Sequence, residues 1–179
     1  MSCCIAFLAV QMRKRQVGFS LIELLIVVAI ILIIAAIAIP SYLRSRLMAN
    51  EASTAESLRT INTAEVAYST SYGIGFAPLA NLGGPVGAVC VASSATSCIL
   101  DSLLSSGTKS GYTITTPTPA AVGTVTTPNA NFSVSAVPMV LGQTGQRSFC
   151  SDQTGVIRAD PAGVAPPNPC DSGAFAAIQ

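Results

Sequence analysis

The sequence predicts an α+β fold in which a long N-terminal α-helix packs on a small antiparallel sheet of three to four strands. Two observations support this fold class. The chain up to Pro40 ends in a long apolar run, and residues with helical spacing follow it. Four short alternating or β-branched segments come later, bounded by Gly, Pro and Asn. A long helix followed by antiparallel strands is an α+β arrangement.

The apolar run is long enough to cross a membrane as a helix. Every residue from Leu21 to Ile39 is apolar except Glu23, and the segment 19–39 has 21 residues. A helix of that length spans roughly 31 Å, which matches the hydrocarbon core of a bilayer. The basic residues at 13–15 favour a cytoplasmic N-terminus and an exported C-terminus. We therefore predict a transmembrane helix at 19–40.

The helix is predicted to continue beyond Pro40, which removes one backbone hydrogen bond and should introduce a kink. Between Ser41 and Tyr72, the residues of one largely apolar helix face recur at intervals of three, four or seven positions. Gly73 is expected to end this helix. The residues of this face are Leu47, Thr54, Leu58, Ile61, Tyr68 and Tyr72. Most of the charged residues are predicted on other faces, and the set is Arg44, Arg46, Glu51, Glu56 and Arg59. This half of the helix should begin a globular domain at 41–179.

Strands are predicted after a long connection from Gly73 to Gly111, in which Cys98–Ser105 could form a short helix. The predicted strands are Tyr112–Thr116, Asn131–Val137, Arg147–Asp152 and Gly155–Ala159. The last two are separated by two residues, so we expect them to form a hairpin. The segment "TPTPAAVGTVTTP" between the first two is rich in Pro and Thr, which favours an exposed loop.

Four cysteines lie in the polar part of the chain, after the apolar run. An even number in an exported domain predicts two disulfides, with three possible connectivities. We favour Cys90–Cys98 and Cys150–Cys170, because each pair closes a local, turn-rich loop. Four free buried thiols are the alternative.

The composition offers little for catalysis. The chain contains no histidine, which removes the commonest general base and metal ligand. It also has no phosphate loop and no plausible nucleophile–base pair, so we predict a protein that is not an enzyme and needs no cofactor. Asp152, Asp160 and Asp171 could in principle hold calcium, but scattered aspartates near turns are more often solvated turn formers.

The junction Gly18-Phe19 precedes the apolar run, whereas an ordinary secretory signal is cut after a shorter apolar core. The stretch "GFSLIELLIVVAIILIIAAIAIPSY" resembles the class III signal of type IV pilins and pseudopilins. The resemblance implies the pilin fold, cleavage after Gly18 by a prepilin peptidase and N-methylation of Phe19. It also implies that the helix at 19–40 is stored in the membrane before assembly and forms the filament core afterwards. A single-pass anchor with an accidental Gly-Phe pair is the alternative.

The predicted leader, residues 1–18, departs from the family because it begins with an apolar stretch instead of being short and basic. A start at Met12 would leave "MRKRQVG", which fits the family. Cleavage after Gly18 would remove three basic residues and leave six against eight acids. The mature chain would then have a net charge of −2, which gives no general attraction for nucleic acid.

Glu23 is the acid in the apolar run, and a carboxylate there is costly unless it has a partner. Cleavage would create a free ammonium on Phe19. If helices bundle with an axial stagger, Glu23 of one subunit can face the terminal ammonium of a neighbour and specify the register. The alternative is that Glu23 extends to the membrane interface.

The leading hypothesis is a structural subunit of a type IV pilus. A pseudopilin of a type II secretion system is the first alternative, and a minor pilin that binds DNA or a surface at the filament tip is the second. The resemblance implies as partners other pilin copies, the prepilin peptidase and methylase, and an inner-membrane assembly platform. It implies the bacterial inner membrane before assembly and a cell-surface or periplasmic filament after it. Only Lys109, Arg147 and Arg158 are basic beyond the helix, so direct DNA binding is disfavoured.

Overall fold

The computed structural model describes residues 18–164, Cys170 and residues 176–178. The predicted start at Met12 and the calcium candidate Asp171 lie outside the described residues. The chain divides into two compact units, one up to Pro40 and one from Ser41 onward.

The first element is helix α1, which spans Leu21–Tyr72 and contains Pro40 in its interior. The predicted helix, from about Phe19 to Tyr72, is confirmed apart from its first two residues. Its end is set by Gly73, which has a φ of +66° and donates its N–H to the Ser69 carbonyl at 3.0 Å. A left-handed residue after the last turn is a common helix stop, and glycine adopts it without strain. The kink at Pro40 stays a prediction.

One face of α1 beyond Ser41 is buried, with its residues three or four positions apart. The predicted members Thr54, Leu58, Ile61 and Tyr68 are buried, whereas Leu47 and Tyr72 are half-buried. The prediction for Glu51 was wrong, because this acid is buried on the same face with only 8% of its surface exposed. Glu65, which the pattern also left out, is fully buried. Positions 51 and 65 complete the spacing between 47 and 72.

The domain from Ser41 onward contains a six-stranded antiparallel sheet among the described residues. The strands follow each other in chain order across the sheet. They are β1 (Thr108–Lys109), β2 (Tyr112–Thr118), β3 (Ser133–Pro138), β4 (Ser148–Asp152), β5 (Arg158–Asp160) and β6 (Ala176–Ala177). The predicted α+β class is confirmed, but the count of three to four strands was wrong. The two additional strands have two residues each, too few to show an alternating pattern.

The four predicted strands correspond to β2 through β5, with bounds that differ by at most three residues. The expected hairpin is confirmed, since β4 pairs antiparallel with β5. Strand β2 is longer than predicted: it continues into the segment that was expected to be a loop and ends at Thr118. From Ala120 to Pro128 that segment is exposed or half-buried, as the Pro and Thr content predicts.

The connection between α1 and β2 contains two short helices, α2 (Leu79–Leu82) and α3 (Ser102–Ser105). The helix expected from Cys98 begins only at Ser102. The reason is local: Cys98 has a left-handed φ of 57°, and the Asp101 side chain accepts the Leu103 N–H as an N-cap.

The core of this domain lies between α1 and one face of the sheet. In β2 the burial alternates, with Tyr112 and Ile114 buried and Thr113 and Thr115 exposed. Helix α1 contributes Leu58 and Ile61 to the same cluster. The other buried members include Tyr68, Leu82, Leu104, Phe132, Val134, Ala136, Phe149, Ile157 and Ala159.

Candidate functional site

The predicted cleavage junction is open to solvent. Gly18, Phe19 and Ser20 precede α1, belong to no helix or strand, and are exposed. Phe19 has 72% of its surface exposed, and no atom of the described residues beyond its chain neighbours lies within 4 Å of the position that a Cβ on Gly18 would take. A peptidase can therefore reach this peptide bond without unfolding any element that the structure describes.

The apolar half of α1 follows the junction and has no internal partner among the described residues. Its side chains are exposed throughout, apart from the half-buried Ala35. By length and composition this is a helix that could cross a membrane, and none of its most apolar stretch is buried within the chain. A contiguous apolar surface of this extent requires either lipid or other helices to cover it.

Glu23 lies in the first turn of α1 and is exposed. The N-terminus of a helix carries a partial positive charge, which favours an acid in this turn. The ion pairs within the described residues are Arg59–Glu56 and Arg147–Glu51, so Glu23 has none there. Its carboxylate is thus available to a partner outside the chain.

These features coincide with a known sequence family. A family model of the prokaryotic N-terminal methylation motif matches residues 13–39. The chain carries the type IV pilin signature. The methylation motif includes Gly18, Phe19 and Glu23 and ends one residue before Pro40. No curated protein and no solved structure matches the chain.

The methylation motif supports a pilin-like or pseudopilin protein, and with it a structural role. It implies processing by a prepilin peptidase and assembly into pilin filaments. Together with the apolar helix, the motif fits a membrane-anchored pilin before assembly. The individual roles of Gly18, Phe19 and Glu23 stay predictions.

Two disulfides cross-link the domain, Cys90–Cys98 and Cys150–Cys170. These are the two pairs predicted from the sequence, where each was favoured because it closes a local loop. Cys150 lies on β4, where all five residues are buried because both faces of the strand are covered. Ser151 accepts a hydrogen bond from Asn62 of α1, so Cys150 points to the opposite face. Cys170 covers Cys150 there, and each has 1% of its surface exposed.

Glu51 joins α1 to the loop before β4. Its Oε1 accepts the N–H groups of Gln146 and Arg147 at 2.9 and 3.2 Å, and its Oε2 lies 2.7 Å from Arg147 Nη2. The Tyr112 hydroxyl donates to the Arg147 carbonyl at 2.8 Å. Burial raises the pKa of Tyr112, and the nearby Glu51 adds to the shift. The buried acid therefore has a structural role, because it connects α1 to the loop before β4.

Glu65 is a second buried acid on α1, seven residues and thus about two turns beyond Leu58. Its Oε2 accepts the Ala77 N–H at 3.0 Å, whereas its Oε1 has no hydrogen-bond partner. Burial raises the pKa of this carboxyl to about 7, and the bond from Ala77 opposes the shift. Among the described residues, the hydrogen-bond partner of this carboxyl is the Ala77 N–H, which is neither a base nor a nucleophile.

Two of the three aspartates considered for calcium act in turns. Asp152 Oδ1 accepts the Thr154 N–H at 2.9 Å, and Asp160 Oδ1 accepts the Ala162 N–H at 2.9 Å. Within the described residues, no group of three or more His, Cys, Asp or Glu side chains is placed to hold a metal. The hydrogen bonds give both aspartates a structural role.

Proposed function

We propose that the chain is the structural subunit of a type IV pilus and polymerises through its N-terminal helix. The observation that carries this proposal is the uncovered apolar half of α1 directly after an accessible Gly18-Phe19 junction. Motility, adhesion or DNA uptake would then depend on the filament instead of a site on one subunit. In this role the chain performs no catalysis.

Processing precedes assembly in this proposal. A prepilin peptidase cleaves after Gly18 and the new N-terminus of Phe19 is methylated, while α1 holds the chain in the inner membrane with its domain in the periplasm. The basic residues at 13–15 support this orientation. The assembly platform then moves the helix from lipid into the filament core, where neighbouring helices replace acyl chains.

Glu23 specifies the register of this packing. The ammonium of a processed Phe19 on a neighbouring subunit is the counter-ion that the described part of the chain does not itself provide. Apolar packing between helices tolerates many axial positions, whereas a buried charge without its partner is costly. The pairing of Glu23 with that ammonium therefore selects one stagger among the apolar alternatives.

A pseudopilin of a type II secretion system carries the same kind of signal and is the alternative function. The two disulfides favour the pilus, because the major pseudopilins that this motif resembles typically carry calcium instead. A minor pilin at the filament tip remains a narrower version of the same structural role.

Filaments sheared from cells test the proposal. We expect the chain to be their main component and its first residue to be methylated Phe19, as read by mass spectrometry. A Gly18→Leu variant should accumulate uncleaved in the membrane, because the larger side chain obstructs the peptidase. Absence of the chain from sheared filaments, together with loss of protein secretion on its deletion, would instead establish the pseudopilin function.

A further inference from the structure

An open groove lies on the domain that begins at Ser41, beside the first turns of α1 in this domain. It is lined by Arg44, Leu47, Met48 and Glu51 of α1 and by Gln146 and Arg147 of the loop before β4, and its volume is about 530 Å³. Met48 has 69% of its surface exposed, so the groove has an apolar wall open to solvent. Arg44 lines the same groove and is exposed.

The charge of this groove is positive. Glu51 is its one acid among the described residues, and both carboxylate oxygens already contact Arg147 or the N–H groups of the loop. Arg44 has no ion pair among the described residues, and the same holds for Arg46 two positions along the helix. The groove therefore presents a free guanidinium beside apolar side chains, which suits an amphiphilic anion.

The position of the groove in the chain identifies the source of such an anion. Arg44 follows the last apolar residue, Ile39, by five positions, which is about 7.5 Å of helix. When the apolar run is in a bilayer, this turn lies at the depth of the headgroups. Tyr42, with 66% of its surface exposed, lies in the same turn, and aromatic residues with a polar tip are typical of this depth.

We propose that this groove binds the phosphate headgroup of an anionic lipid in the leaflet around the membrane-inserted helix. Arg44 contacts the phosphate, while Leu47 and Met48 contact the glycerol and upper acyl chain. The inference rests on the membrane storage in the proposed function and adds a specific lipid contact to it. The bound lipid fixes the depth of the domain before assembly, and entry into a filament requires that it leave.

A second copy of the chain is a weaker candidate for this groove, because Arg44 would need an exposed acid from it. Three exposed acids that a second copy could offer already have a partner: Glu56 pairs with Arg59, Asp101 caps α3, and the proposed function assigns Glu23 to a terminal ammonium. A lipid phosphate has no such competing contact. The charges therefore favour lipid.

Tryptophan fluorescence of the full chain in vesicles tests the proposal, because the chain has no tryptophan of its own. Met48→Trp places a reporter in the groove. Val66→Trp is its control: it lies 18 residues, and thus about 27 Å, along the same face of α1, and Val66 is also exposed at 57%. A lipid with a quencher on its headgroup should quench the Met48→Trp reporter strongly in vesicles containing phosphatidylglycerol, and weakly in vesicles of phosphatidylcholine alone. The Val66→Trp reporter should be quenched weakly in both.

The Arg44→Gln variant tests whether Arg44 itself contacts the lipid phosphate or the reporter only lies near the bilayer surface. One basic side chain near an anionic surface accounts for about a fivefold effect on binding. When Arg44→Gln is added to the Met48→Trp reporter, the fraction of phosphatidylglycerol that gives half of the quenching should therefore rise about fivefold. Arg59→Gln, which removes an exposed arginine paired with Glu56, should leave it unchanged. An excess of inorganic phosphate should not restore the lost quenching or compete with lipid at millimolar concentration.

Quenching of the Met48→Trp reporter that is equal in both lipid mixtures, or unchanged by Arg44→Gln, would overturn the lipid site. The lipid site would also be overturned if quenching of this reporter decreased as the protein density in the membrane increased, since that result assigns the groove to a second copy. Flotation of the same vesicles is measured in parallel. A chain that floats with vesicles but fails the quenching test loses only the lipid site, whereas a chain that does not float contradicts the proposed membrane storage as well.

Discussion

Glu51 and Arg147 form a multiply bonded pair that joins helix α1 to the loop before β4. Arg147 Nε and Nη2 lie 2.8 and 2.7 Å from Glu51 Oε2, and the Oε1 atom accepts two backbone N–H groups. The guanidinium also lies 5.5 Å from the centre of the Phe149 ring. The helix and the sheet are therefore connected by a polar contact at the end of their apolar core.

Glu51→Ala should lower the free energy of unfolding by about 3 kcal/mol, because it leaves two N–H groups and a guanidinium without their acceptor. Urea unfolding of a soluble fragment that begins at Ser41, where the compact domain begins, measures the change. Glu56→Ala is the matched control, since Glu56 is an exposed acid on the same helix whose pair with Arg59 lies at the surface. That control should change stability by no more than about 0.5 kcal/mol. Equal effects of the two substitutions would contradict the structural role of Glu51 in connecting α1 to the loop before β4.

Glu65 should make the domain less stable as the pH rises. Its pKa is about 7 in the fold against an ordinary value of 4.5, so the folded state holds the extra proton between these values. The free energy of unfolding should fall from about pH 4.5 to about pH 7 and stay level above, a loss on the order of 3 kcal/mol. Urea unfolding across this range measures the slope.

Glu65→Gln is the decisive variant for this pH dependence. The amide can still accept the Ala77 N–H through its oxygen but cannot ionise, so the fall in stability attributed to residue 65 should disappear. Glu56→Gln should retain the slope of the unsubstituted domain. A slope that persists in Glu65→Gln would show that another group causes the pH dependence.

The disulfide between Cys150 and Cys170 should contribute more to stability than the one between Cys90 and Cys98. It closes a segment of 20 residues instead of 8, and loss of the larger loop is expected to cost about 3 kcal/mol. It also covers the outer face of β4, which the Cys90–Cys98 bridge does not. Double Ser variants of each pair, unfolded in urea, compare the two contributions. A larger loss from the Cys90 and Cys98 variant would refute this order.

The long elements of the fold could be predicted from the sequence because each has a repeated pattern. Helix α1 shows apolar spacing over many turns, and β2 alternates between Tyr112 and Thr115. Strands β1 and β6 could not be predicted, since two residues carry no period and their pairing depends on neighbouring strands. The start of α3 depended on Asp101 and on the left-handed Cys98, and neither is a property of the apolar pattern.

The candidate assembly segment was more predictable than the domain. Gly18, Phe19 and Glu23 lie in one short stretch that the methylation motif matches, so the segment can be recognised without knowledge of the fold, whereas the roles of the three residues stay predictions. The buried acids Glu51 and Glu65 were assigned to solvent or left out, because charge normally predicts exposure. The available signal was their spacing: Glu51 lies three positions before Thr54, and Glu65 lies four after Ile61 and three before Tyr68. Only the fold shows which backbone N–H groups each acid contacts.

The central claim is that Glu23 directs assembly by pairing with the processed terminus of a neighbour. The most direct measurement is the amount of sheared surface filament produced by a Glu23→Ala variant with Gly18 intact. Mass spectrometry should first establish that the variant is cleaved at Gly18, and Glu56→Ala serves as the acid-removal control. We expect Glu23→Ala to yield processed chain in the membrane and few or no filaments, while Glu56→Ala assembles normally. Normal filaments from Glu23→Ala would contradict the account.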